Sequence, residues 1–191
     1  MKKFLSAIFA AVLGASALFA GDVEDVKFTV TKFNEHASKG EFEQCLTMST
    51  SDFQIVDKAG GIMSREMIEL TFLALDGEHF KECMIVAFMQ QNGGRKPSPE
   101  EITTVDMLAN DSDMIKAYKK NAAAVRKYLI ATAELEYKTM KFVKVDVSGD
   151  NATVVYEHDG KDKSGKISTE TSTTLLRKVD GVWKISKGIT K

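Results

Sequence analysis

The sequence predicts an α+β domain in which N-terminal helices pack on a curved antiparallel sheet, with extra helices inserted between them. Two observations predict this class. Apolar residues recur at helical spacing up to about residue 135, and from about residue 138 the period shortens to two, as in strands. No repeat and no long Pro-, Gly- or Ser-rich linker divides the chain, so helices followed by consecutive strands indicate a single domain.

A secretory leader is predicted over residues 1–20. Two lysines supply a positive start, and the apolar stretch behind them is shorter than the roughly 20 residues of a membrane-spanning helix. Cleavage is expected after Ala17 or Ala20, and the acidic segment that begins at Gly21 favours Ala20. We therefore expect a periplasmic or secreted protein, with one domain over residues 21–191 and no stable membrane anchor.

The charge balance argues against nucleic acid as a partner. The chain carries 26 Lys and Arg against 27 Asp and Glu, a net charge of −1, and loss of the two leader lysines makes it more acidic. Binding a phosphate backbone requires a clear basic excess. We expect no nucleic-acid partner.

The two cysteines, Cys45 and Cys83, suggest a disulfide, because an even pair in an oxidising compartment is usually bridged. The alternative is two separate buried thiols that act as small apolar side chains.

Helices and one strand open the mature chain. Apolar residues at spacings of three and four predict a helix over residues 23–37, which Gly40 ends with a left-handed cap. A second short helix is predicted over residues 41–48, then a strand over residues 52–56 and a turn at residues 59–61.

Four further helices are predicted from caps and periodicity. Ser64 is a suitable N-cap for the third, and the fourth covers about residues 78–91. Residues 98–101 combine a cap, a proline and a capping-box glutamate at the start of the fifth. The longest begins near Asp111 or Ser112. Its basic amphipathic pattern is also typical of a helix lying on anionic lipid, but a solvated face over the core is the simpler interpretation.

The C-terminal part alternates as strands do. Strands are predicted over residues 143–147, 152–158, 166–178 and 183–189, and Asp180 followed by Gly181 predicts a tight hairpin. Short turns between consecutive strands indicate an antiparallel meander. We expect the Ser and Thr residues of the third of these strands to face solvent.

Five segments carry a likeness to a known superfamily. They are the turn at residues 39–42, the first strand around residues 52–53, the helix start at residues 64–66, and the strand and hairpin segments 150–154 and 175–185. In their order they resemble the nuclear transport factor two-like superfamily, and the last two are similar to the closing strands of its SnoaL-like and lumazine-binding-like members. The resemblance implies the cystatin-like α+β cone.

The likeness covers residues 23–75 and 138–189 and leaves residues 76–137 as a helical insert. Superfamily members usually have a cone-shaped cavity between sheet and helices, and their dehydratases and ketosteroid isomerases place Asp, His or Tyr inside it. The resemblance therefore implies a pocket for a small or apolar ligand, which the insert would cap, fill or reshape.

Five residues are the candidates for lining that pocket: Phe33, Phe53, Met67, Tyr156 and His158. Tyr156 and His158 share a strand face and are the weak candidates for catalysis, because such a pair can act as hydrogen-bond donor and general base. A histidine at a strand end beside a turn is more often exposed, so exposure of His158 is the expectation.

No metal site and no cofactor are predicted. The three histidines, His36, His79 and His158, are not at metal-ligand spacing. Neither glycine pair has the lysine and helix context of a phosphate loop, and no nucleophile elbow is present.

The leading functional hypothesis is a non-enzymatic ligand-binding or accessory protein of the periplasm. A second hypothesis is a dehydratase- or isomerase-type enzyme that uses Tyr156 and His158. A third is an interaction module, in which the helices around residues 98–134 or a sheet face bind an envelope protein or a second copy of the chain.

Overall fold

The computed structural model describes residues 2–161 and 164–190, and the side chains over 21–161 and 164–189. Its helices are α1 (Lys2–Lys39), α2 (Phe42–Thr47), α3 (Arg65–Ala74), α4 (Phe80–Gln91), α5 (Pro99–Leu108) and α6 (Ser112–Thr139). Its strands are β1 (Ser49–Val56), β2 (Ile62–Ser64), β3 (Lys141–Ser148), β4 (Asn151–Lys161), β5 (Ile167–Val179) and β6 (Val182–Thr190). The predicted α+β class is confirmed.

The described strands form one curved, open sheet in the order β2-β1-β6-β5-β4-β3. Strands β3 to β6 make the predicted antiparallel meander. Strand β1 instead runs parallel to β6, so the sheet is mixed and not wholly antiparallel. Parallel pairing requires a long connection, and here the inserted helices and the meander supply it. The three-residue β2 was not predicted, because so short a strand shows no alternation.

Helices α1 and α3 cover the inner face of the sheet. The largest fully buried side chains are Val26 and Val30 of α1, Ile68 of α3, Val154 of β4 and Leu176 of β5. They interdigitate in one core with aromatic and aliphatic residues of β1 and β6. At this interface the strand residues that alternate with period two pack against the helix residues that recur with period 3.6.

The predicted helix starts are confirmed by their caps. The Ser64 hydroxyl accepts from the backbone amide of Met67 at the start of α3. Ser98 and Glu101 exchange both bonds of a capping box at α5. The Asp111 carboxylate accepts from two backbone amides at the start of α6.

The extra helices are α4, α5 and α6. Helix α4 packs against α3 and α5, and α6 returns to pack along α1 and β4. The insert therefore reaches the inner face of the cone through the C-terminal part of α6.

The suggested disulfide is absent, and both cysteines are free thiols. Cys45 is buried in α2, and its Sγ donates to the carbonyl oxygen of Phe33 at 3.5 Å. Burial raises its pKa to about 12. Cys83 is half-buried on α4, which packs against α3, and burial raises its pKa as well. Each thiol packs in its own surroundings, as the alternative interpretation held.

Candidate functional site

His158 is buried on the inner face of the sheet, with only 5% of its surface exposed. The expectation that this strand-end histidine is exposed was wrong, because β4 continues beyond it to Lys161. Tyr156, on the same face, is also 5% exposed. The structure therefore brings the two weak catalytic candidates together on the inner face, with ring centroids 5.6 Å apart.

These two side chains belong to a hydrogen-bonded polar cluster. The Tyr156 hydroxyl donates to Glu136 Oε1 at 2.8 Å, and His158 Nε2 lies 2.9 Å from Ser172 Oγ. Glu136 Oε1 is 4.0 Å from His158 Nε2. Burial, followed by the negative charge of Glu136, raises the pKa of Tyr156 well above its usual value.

Sequence reasoning missed Glu136, although a signal was present. It lies four residues after Thr132, at the next position of the apolar stripe of α6, so it points toward the sheet. The solvated-face prediction was also wrong for Ser172 and Thr174, which are buried. These polar side chains tolerate burial because neighbours satisfy their hydrogen bonds.

The remaining predicted ligand-binding residues fill the core. Phe53 and Met67 are 3% and 5% exposed, and Phe33 packs edge-on against Phe53 with ring centroids 6.0 Å apart. His158 borders a recess of about 370 Å³ beside Asp159. Of the five predicted residues, Phe53 and Met67 are therefore buried core residues, Phe33 packs against the core, and Tyr156 and His158 belong to the polar cluster.

A larger cavity lies between α2, α3 and α6, and we call it the helical cleft. Its volume is about 590 Å³, which is within the range of small-molecule sites. It is lined by residues of α1, of the turn that follows it, of these three helices and of the loop after α3: His36, Gly40, Glu41, Phe42, Glu43, Gln44, Phe72, Leu73, Asp76 and Arg126.

The helical cleft has an aromatic floor. The rings of Phe42 and Phe72 stack with centroids 4.5 Å apart and planes 11° from parallel. The guanidinium of Arg126 lies 5.5 Å from the centre of the Phe42 ring and donates to the carbonyl oxygen of Gly40 at 3.1 Å. Arg126 thus joins the inserted helix α6 to the turn between α1 and α2.

The rim of the cleft is acidic. His36 Nδ1 contacts Glu41 Oε2 at 2.6 Å, and Asp76 Oδ2 contacts Nδ1 of His79, the N-cap residue of α4, at 2.7 Å. The pKa of Asp76 is lowered, chiefly because it accepts from the backbone amide of Glu78. Glu43 is exposed and has no ion pair with any side chain over residues 21–161 and 164–189. The sequence did not reveal this cleft, because its members are distant along the chain.

Neither a metal-ligand cluster nor a membrane-spanning helix occurs among the described residues. Nowhere among them do three His, Cys, Asp or Glu side chains cluster as metal ligands would. Within that part of the chain, no helix combines the length and the apolar character needed to cross a bilayer.

Comparison with known proteins gives matches to solved structures. No family model matches the sequence, and no curated protein matches it. A nuclear transport factor two-like protein with a cystatin-like fold from Novosphingobium aromaticivorans matches with a TM-score of 0.50 at 11% identity, over 93% of this chain and 86% of that one.

Weaker structural matches have TM-scores below 0.5. A nuclear transport factor two-like protein of unknown function from Shewanella oneidensis has a TM-score of 0.44 at 14% identity, over 88% of this chain and 98% of that one. A ketosteroid isomerase-like protein from Erwinia carotovora atroseptica has a TM-score of 0.41 at 10% identity, over 88% and 94%. At such identities a likeness concerns the fold alone, and the first match and the sheet topology support the same fold. The chain has the α+β cone fold of the nuclear transport factor two-like superfamily.

Proposed function

We propose that the protein binds a small ligand in the helical cleft and is not an enzyme. One observation carries this proposal: the cleft offers about 590 Å³ beside an aromatic floor, whereas Phe53 and Met67 in the cone are buried in packed core. Ligand sites are typically concave, with apolar walls and a few polar groups that orient the ligand. The helical cleft has both features.

The walls of the cleft favour an amphipathic ligand that carries a positive charge. Phe72 and the exposed Leu73 supply apolar surface, against which a hydrocarbon or ring would pack. The carboxylates of Glu41, Glu43 and Asp76 line the rim. These three carboxylates outnumber the guanidinium of Arg126, which also lines the cleft and is engaged with Gly40 and Phe42. Of the three, Glu43 is the carboxylate that has no ion pair with a described side chain.

Export to the periplasm is part of the same proposal. It is supported by the leader-like residues 1–20 and by the anchoring of the first mature turn, where Asp22 bonds to Lys178 and Trp183. Cleavage after Ala20 would leave both contacts in place. The N-terminal sequence and intact mass of protein secreted from an expressing cell test this, and a retained leader would contradict it.

The binding proposal is tested by calorimetric titration and thermal shift with a panel of amphipathic amines and matched neutral and acidic analogues. We expect micromolar to millimolar binding of amines. Glu43→Gln should weaken it about tenfold, since charge-assisted hydrogen bonds contribute roughly 1.5–3 kcal/mol. Glu100→Gln, an exposed glutamate on α5, is the matched control. Equal binding by the Glu43 variant, or preference for acidic analogues, would reject the ligand class.

The polar cluster on the inner face favours a second candidate, an acid–base enzyme. His158 borders a recess of about 370 Å³, and Glu136 lies between it and Tyr156. If this cluster is catalytic, proton exchange at carbon acids should be detectable by NMR and should be lost in Glu136→Gln. If that variant retains all exchange activity, or the native protein shows none, this candidate is excluded.

A homodimer or an envelope-protein partner stays a prediction. Light scattering of the purified mature protein checks the homodimer, and cross-linking in the intact envelope checks the other partner.

A further inference from the structure

A second recess, separate from the helical cleft, lies where the start of β1 meets the end of β5 and the start of β6. Its volume is about 460 Å³, and it is lined by Ser49, Thr50, Ser51, Arg177, Lys178, Val179 and Lys184. Three of these side chains are cations and three carry hydroxyls, and none of the carboxylates that the structure describes is among the lining residues. We call it the basic recess. The whole chain has a net charge of −1, so this excess of positive charge is local to the recess and is not a property of the whole chain.

Two of the cations oppose each other directly. Arg177 of β5 pairs in register with Lys184 of β6. Residues paired in this way on antiparallel strands project from the same face of the sheet and lie close together. Like charges in this position repel each other and destabilise the pairing of the two strands. A negative charge between or beside them would stabilise it.

The protein's own carboxylates compensate two of the three cations. Arg177 forms an ion pair with Asp52, and Lys178 Nζ lies 2.6 Å from Asp22 Oδ1. Lys184 has no ion pair with any side chain that the structure describes. One positive charge in the basic recess is therefore left uncompensated.

The hydroxyl wall of the recess is held in place from behind. Strand β1 leaves its ladder with β6 between Ser49 and Gln54. In this irregular stretch the Arg65 guanidinium donates to Ser49 Oγ at 3.1 Å and to the Thr50 carbonyl oxygen at 2.8 Å. Ser51 is exposed at the mouth. A preorganised wall lowers the entropy cost of binding a ligand.

We propose that the basic recess binds an oxyanion of the phosphate class through Arg177, Lys184 and the Ser51 hydroxyl. Guanidinium, ammonium and hydroxyl groups together match the charge and the acceptor oxygens of such an anion. The bound anion would also compensate the charge of Lys184, the one cation of the recess that has no ion pair with a described side chain. A free phosphate and the phosphate of a lipid headgroup share this chemistry.

The test is a titration of the purified mature protein with inorganic phosphate at constant ionic strength, followed by NMR chemical shifts and calorimetry. We expect saturable binding, with the largest shifts at Ser51, Arg177 and Lys184. Lys184→Gln should weaken binding about tenfold or more, since it removes one charge-assisted bond, and Lys184→Arg should retain most of it. Lys127→Gln, an exposed lysine on α6, is the matched control.

A parallel arm uses vesicles of phosphatidylglycerol and of phosphatidylcholine. Phosphate binding together with selective sedimentation on the anionic vesicles identifies a lipid headgroup as the source, and phosphate binding alone identifies a free anion. The proposal is overturned if phosphate does not saturate, if Lys184→Gln binds as tightly as the native chain, or if Lys127→Gln weakens binding equally.

Discussion

Asp22 Oδ1 accepts a hydrogen bond from the indole Nε1 of Trp183 at 3.1 Å. The same oxygen contacts Lys178 Nζ at 2.6 Å, and that ammonium lies 5.3 Å from the centre of the Trp183 ring. Residues separated by most of the chain thus join α1 to the hairpin of β5 and β6. These contacts hold α1 against the end of the sheet where β5 and β6 meet.

We expect Asp22→Asn to lower the melting temperature at neutral pH and to reduce acid sensitivity. The pKa of Asp22 is lowered from its ordinary 3.8, chiefly by the bond from Lys178 and then by that from Trp183. A lowered folded pKa stabilises the fold above the ordinary value, and this contribution is lost as the pH falls through the folded pKa. Urea unfolding at a series of pH values, with Glu24→Gln as control, measures it. Identical pH profiles for Asp22→Asn and the native chain would refute the argument.

Gly40→Ala should lower the free energy of unfolding by more than Gly149→Ala does. Both glycines have positive φ, +72° and +56°, so each alanine costs roughly 1–2 kcal/mol of backbone strain. At Gly40 the added Cβ would also lie 2.7 Å from Ile130 Cδ1, whereas at Gly149 it would meet nothing within 4 Å. Denaturant unfolding of both variants isolates the steric part, and equal losses would show that Ile130 moves aside freely.

Tyr118→Phe should lower the free energy of unfolding by about 1–2 kcal/mol, because it leaves the backbone carbonyl of Ala74 without its donor. Burial, as the main cause, raises the Tyr118 pKa to about 12. A raised folded pKa gives stability that is complete below the ordinary pKa of 10 and is lost as the pH rises toward the folded pKa of about 12. In an ultraviolet titration, this variant should lack one of the tyrosine ionisations that occur at high pH in the native chain. The control is Tyr128→Phe, whose exposed hydroxyl donates to the Lys161 carbonyl oxygen; a larger effect there would contradict the assignment.

The native protein should react slowly with a thiol reagent at neutral pH, and urea should expose both thiols together. Cys45 is 2% exposed with a pKa of about 12, and only the thiolate is nucleophilic. Cys83 is half-buried with a raised pKa, so it should react before Cys45. The mass added by the thiol reagent over time, with and without urea, is the measurement. Intact mass before and after reduction checks the disulfide, and a gain of two hydrogens on reduction would reveal the bridge that the structure lacks.

Local features of the fold were predictable because each depends on neighbours in sequence. The cap at Ser64, the capping box at Ser98 and the common strand face of Tyr156 and His158 all follow from short spacings. The burial of His158 does not, because it depends on the elements packed against that face. The parallel pairing of β1 with β6 does not, because it joins segments separated by the insert and most of the meander.

The sequence by itself determined the fold class, the meander and the helix starts, since periodicity and capping are local properties of the chain. Only the tertiary structure decided where cavities lie and which polar groups meet. Glu136 reaches Tyr156 from another element, and the helical cleft and the basic recess each assemble from distant segments. Cavities form where side chains from different elements fail to fill the space between them, and no short spacing in a sequence encodes that volume.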